Sequence, residues 1–198
     1  MTLADLQGLF ARVTRIAVAL GEKAGPGTSW DYTFPDGSTT TYEITNVKAP
    51  EELQDQFANL AVWAWAIKDY LKSLAPKLGT TPQAIEDYVN QDPALPLCAD
   101  LANLLKHGAL KVSRSGLWPA IVRPSYVIKY DRTAAATPIK SILFTSGGVT
   151  FDVADPALVE IRFEVKARSG ASLGDGLECV RAAISSWENL LGRFGSVV

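Results

Sequence analysis

Asp100, Asn103 and His107 stand at i, i+3 and i+7. That spacing puts them on one face of a helix. His107 is the only histidine in the chain, and Lys106 lies beside it. Imidazole titrates near neutral pH, and a carboxylate can fix its tautomer and raise its basicity. The residue types in Asp100–His107 therefore fit proton transfer. They fit equally well a hydrogen-bond network that fixes helix packing. Trp65, Lys68 and Asp69 form a second polar group in an otherwise apolar stretch, and Asp69 would reach the first if the two helices pack.

Other chemistries find less support. One histidine without a Glu-x-x-His pairing gives no metal-ligand pattern, and no metal or cofactor is expected. Cys98 precedes His107 by nine residues, about 13 Å along a helix, which is too far for a thiol–imidazole pair. Both cysteines, Cys98 and Cys179, read as reduced thiols of a reducing compartment. Gly25-Pro26-Gly27 and Gly147-Gly148 lack the residues that surround a phosphate loop. The net charge of −2, without a basic run, argues against nonspecific nucleic-acid binding.

The elements that must position these residues follow from periodicity. Leu3, Leu6, Leu9, Phe10, Val13, Ile16, Ala17 and Leu20 predict an amphipathic helix over 3–21. Trp30, Tyr32 and Phe34, then Thr40, Tyr42 and Ile44, alternate around Pro35-Asp36-Gly37-Ser38, which predicts a β-hairpin within 28–46. A long helix is expected over about 50–75, with a stripe of Leu53, Phe57, Leu60, Ala64, Ile67, Leu71 and Leu74. Thr81 caps a shorter helix, and 97–107 forms the next, stopped by Gly108. From 117 to 168 the period becomes two, and three or four antiparallel strands read as a meander. Asp175 caps a last helix over 176–193, with Glu178 as capping-box partner.

With 198 residues, the chain suits a single domain. The expected fold is mainly α: a bundle of four or five helices from 1–21, 50–110 and 175–195, with β insertions near 28–46 and 117–168. The alternative is an α+β layer. No segment approaches the about 20 apolar residues of a membrane span, and the N-terminus does not read as a signal peptide. A cytoplasmic protein of bacterial or viral type is expected, with no membrane partner.

Trp65-Ala-Ile-Lys68-Asp69-Tyr-Leu71, Cys98-Ala-Asp100-Leu-Ala-Asn103-Leu-Leu-Lys106-His107 and the final helix around Trp187 and Leu190-Leu191 resemble uncharacterised bacterial and phage proteins of the HEPN superfamily. The resemblance covers the helices, about half the chain. It implies a helical bundle that dimerises. It also implies a metal-independent ribonuclease of toxin–antitoxin or phage-defence type, acting on RNA. In that pattern Asn103 and His107 match the family's Asn and His, while the preceding arginine position falls on Ala102. Phosphodiester cleavage without metal needs a fixed cation for the developing charge. Lys106, Lys111 or Arg114 would have to supply it.

The resemblance thus assigns catalytic roles to His107, Asn103 and Lys106, with Asp100 or Asp69 orienting the imidazole. The competing expectation, motivated by Ala102, is a noncatalytic binding or regulatory module built on the same bundle, with a protein partner. Five tryptophans also point to an interface, and a homodimer is expected.

Overall fold

A computed structural model describes residues 1–122, 124–127 and 137–195. The elements run α1 (Leu3–Gly21), β1 (Thr28–Thr33), β2 (Thr39–Thr45), α2 (Pro50–Leu74), α3 (Pro82–Gln91), α4 (Leu95–His107), β3 (Ala120–Ile121), β4 (Ser125–Val127), β5 (Ile139–Thr145), β6 (Gly148–Val153), β7 (Glu160–Arg162), β8 (Glu164–Lys166), β9 (Ser172–Asp175) and α5 (Gly176–Gly192), with short 3-10 turns at Ala75–Leu78 and Pro156–Leu158. This is an α+β fold, which corrects the mainly helical expectation. The residues group into two compact units. A helical unit comprises 1–19, 55–123 and 163–198, and a sheet unit comprises 20–54 and 124–162.

The sheet unit explains the correction. Its strands are not separate excursions from a bundle: the hairpins β1–β2 and β5–β6 join through parallel pairing of β2 with β6. Nor is 117–168 one meander. Among the described residues only β5 and β6 form a hairpin there, while β4 pairs with β7, and β3 pairs with β8, which pairs in turn with β9. The alternation expected at Ile128 and Tyr130 lies outside the described residues. Period-two patterning gave the strands but carries no information on which strands pair, since pairing depends on a shared core. Here that core is Ile44, Val47, Val153 and Val159, with Tyr126, Ile139 and Phe151 packed on it. Tyr126 donates its hydroxyl hydrogen to the Lys48 carbonyl, and Lys23 donates to the carbonyls of Ala157 and Val159.

Register sorts the four-stranded sheet by face. Trp30 lies opposite Tyr42, Tyr42 beside Val149, and Val149 opposite Phe144, so one row crosses all four strands on a single face. Trp30 and Tyr42 stack with centroids 5.7 Å apart. The other face is largely polar, with Leu143 exposed on it. Thr41 donates to Asp31 (2.7 Å), Thr150 to Glu43 (3.1 Å) and Thr45 to Asp152 (3.1 Å).

In the helical unit the expected long-helix stripe holds. Phe57, Leu60, Ala64, Ile67, Leu71 and Leu74 of α2 are fully buried. Trp187 of α5 is buried against them and donates its indole N–H to the Ala64 carbonyl at 3.0 Å, which satisfies the polar atom that a buried tryptophan brings. Phe57 stacks on Phe163 at 4.5 Å. Caps follow the sequence. Thr81 accepts from the Ala84 amide, and Asp175 accepts from the amides of Leu177 and Glu178. Glu178 pairs with Arg181, and among the described residues it makes no hydrogen bond back to Asp175, so the expected capping box does not form. Gly108 ends α4 at φ 74°, a conformation that favours glycine. The helix begins earlier than expected because Pro96 sits in its first turn, where a missing N–H costs nothing. No described helix is long and apolar enough to cross a membrane.

Candidate functional site

Asp100 is completely buried on α4. A carboxylate without solvent must be met by donors, and the turn after α4 supplies them. Ser113 Oγ (2.6 Å), Ser115 Oγ (2.5 Å) and Ser115 N (3.0 Å) donate to Oδ2, and Arg114 N donates to Oδ1 (2.7 Å). The ordering continues outward. Ser115 Oγ accepts from Leu117 N, and Ser113 Oγ accepts from Trp118 N, each at 3.1 Å. Trp118 is held at φ 51°, an uncommon value for a bulky residue, with the Arg168 guanidinium 5.8 Å from its ring centroid.

Asp100 therefore shapes a loop and does not orient an imidazole. Among the described residues no hydrogen bond or ion pair joins it to His107. The two share a helical face but differ by seven residues, about 10 Å of rise. The 113–115 loop lies on Asp100, while Asn103, Lys106 and His107 are all exposed. Ala102 is 2% exposed, so the position that the resemblance gives to arginine belongs to the core. Asp69 is exposed on α2, 3.4 Å from Lys68, and does not reach α4 through any described ion pair or hydrogen bond.

What the loop positions is Arg114. Its Nη2 donates to Glu86 Oε2 (2.5 Å) and Asn90 Oδ1 (2.8 Å) on α3, and its Cζ lies 5.4 Å from the Trp65 ring centroid. Lys72 Nζ is 2.7 Å and Lys68 Nζ 3.8 Å from Glu86 Oε1, and Lys68 also lies 4.7 Å from the Trp65 ring centroid. Three cations from α2 and the loop thus converge on one carboxylate of α3 beside an indole. Partial burial would raise the Glu86 carboxyl, but hydrogen bonds from Arg114 and Lys72 and the charges of Arg114 and Lys68 outweigh it and hold it down to about 2. Among the described residues Arg114 Nε, which is buried, has no hydrogen-bond partner.

Sequence reading found Trp65 and Lys68 of this cluster, named Arg114 only as one of three substitute cations, and missed Lys72 and Glu86. Lys68 and Lys72 at i and i+4 in an apolar helix are a legible signal. Their meeting with Glu86 and Arg114 depends on tertiary packing, which spacing does not reveal.

The remaining features carry less chemistry. Burial pushes the Cys98 thiol up to about 12, so it stays protonated and inert. A groove of about 540 Å³ between α1 and α5, lined by residues such as Val13, Ala17, Val18 and Ile184, contains none of the residues above. Among the described residues no group of three His, Cys, Asp or Glu side chains is arranged to hold a metal ion. No protein-family model, no curated protein and no solved structure matches the chain, so its site is defined by its own geometry.

Proposed function

We propose that the chain is a noncatalytic binding or regulatory module. The observation that carries this reading is the use of Asp100. The one carboxylate of the candidate motif is buried and bonded to the Ser113–Ser115 turn, which leaves His107 exposed without a described group to orient it. The arrangement spends its buried polar group on holding a binding surface in place.

One observation favours a second reading, a HEPN-like metal-independent ribonuclease acting as a toxin or phage-defence effector. Asn103, Lys106 and His107 are exposed side by side and reachable by RNA. A homodimer or other protein partner would then complete the site from outside the chain.

One assay separates the two readings. Purified chain is incubated with structured and unstructured RNA, beside His107→Ala. The binding-module reading expects no cleavage by either protein, and a change in melting for His107→Ala within about 0.5 kcal/mol, the usual scale of an exposed substitution. Cleavage that disappears with His107→Ala overturns it in favour of the nuclease. Sedimentation of the same samples tests the dimer.

A further inference from the structure

The polar cluster around Trp65 holds more positive charge than it neutralises. Lys68, Lys72 and Arg114 face Glu86, with Asp69 at the exposed rim. These side chains are half-buried, at 16%, 34% and 26% exposure for the three cations in that order, so they are partly desolvated but open to a ligand. Two of them lie over the Trp65 ring, which fixes their heads instead of leaving them to sweep through solvent. The arginine backbone is clamped by Asp100, so the guanidinium is preorganised. Its Nε–H is buried and has no hydrogen-bond partner among the described residues, on the edge whose Nη2 donates to Glu86 and Asn90, so an oxyanion would meet that edge by displacing the Glu86 carboxylate. An orphaned buried donor of this kind calls for a partner.

We propose that Lys68, Lys72 and Arg114, with Trp65 as their platform, form a binding site for an oxyanion, a phosphate or phosphoryl group. Glu86 is the internal competitor: its carboxylate accepts from the cations that would otherwise meet the ligand. Asn90 and Asp100 are positioning residues for Arg114. The inference rests on reading the chain as a binding module, and it names the ligand class for that reading.

The test titrates inorganic phosphate into the intact chain at constant ionic strength. The readout is the proton–nitrogen resonance of Arg114 Nε–H, identified by its loss in Arg114→Lys. A saturable shift is expected in the wild type. Glu86→Gln should tighten binding about five- to tenfold, and Lys72→Gln should weaken it by a similar factor, the scale of one screened charge. Both are partly exposed substitutions, and each variant is compared with its own folded spectrum. The proposal is overturned if the resonance stays still in both wild type and Glu86→Gln, or moves equally with sodium chloride. A second arm uses adenosine 5′-monophosphate. Tighter binding than phosphate supports the site with an organic phosphate as ligand, and equal binding supports it with the free anion. The RNA assay above judges the binding-module reading, and the Arg114 resonance judges the site, so either can fail alone.

Discussion

Asp100 in the helical unit and Asp152 in the sheet unit both accept hydrogen bonds from neighbouring polar groups. Asp100 does so with no solvent contact, from two serine hydroxyls and two backbone amides. Asp152 accepts from Thr45 Oγ1 and Asn46 Nδ2 and faces Lys140 at 3.3 Å, on the polar face of the sheet, with 28% of its side chain exposed. Remove the first, and four donors lose their partner away from water. Remove the second, and water takes its place. The same chemical group thus weighs differently in the two regions because the replacement solvent differs.

The strongest way to break this comparison is Asp100→Ala. It should cost about 3 kcal/mol or more in urea unfolding, since each orphaned buried donor costs about 1–3 kcal/mol. A loss below about 1 kcal/mol would mean that the 113–115 turn finds other partners. The sheet unit has its own point of high cost, set by backbone approach and not by polarity. A Cβ at Gly148 would stand 2.1 Å from the Thr41 carbonyl oxygen, at the start of the β2–β6 parallel pair. Gly148→Ala is expected to lose about 2 kcal/mol, the scale of overpacking, with altered amide shifts along Thr41–Thr45. Unchanged spectra would show that these strands can part at that end.

A smaller effect belongs to Glu86. Its carboxyl is lowered from 4.5 to about 2, so the ionised form stabilises the fold above the higher value, and this contribution fades as pH falls toward the lower one. Glu86→Gln should therefore remove part of the acid dependence in that window, about 1 kcal/mol after solvent screening. Identical acid profiles for the two proteins would contradict it. Smallest of all, Asp152→Ala should cost no more than about 0.5 kcal/mol at neutral pH, and a loss approaching that of Asp100→Ala would erase the contrast between the units.

Legibility in the sequence follows the same division. The stripe Phe57–Leu74, the Thr81 and Asp175 caps and the Gly108 stop are local, and each was readable from spacing because a helix is a short-range object. The alternation of Trp30, Tyr42 and Ile44 was readable too, but not the parallel partner β6, more than a hundred residues away. Strand pairing and the shared core moved the fold from a bundle to α+β. At the site, spacing placed Asp100 and His107 on one face and could not see that a serine-rich turn would cover one end of it. That turn, Ser113-Arg114-Ser115, is also why Arg114 was only a spare cation in the sequence and a central residue in the structure.

The order in which the units are drawn from the chain has a consequence for biosynthesis. The helical unit uses 1–19, 55–123 and 163–198, with the sheet unit's residues between them. A ribosome therefore delivers α2, with the Ala64 carbonyl that Trp187 will engage, long before α5 emerges. Until then the apolar stripe of α2 lacks its last cover, and the nascent chain has to be shielded from its neighbours while it waits. The sheet unit draws on nothing beyond residue 162, so all of its residues have emerged before α5 does.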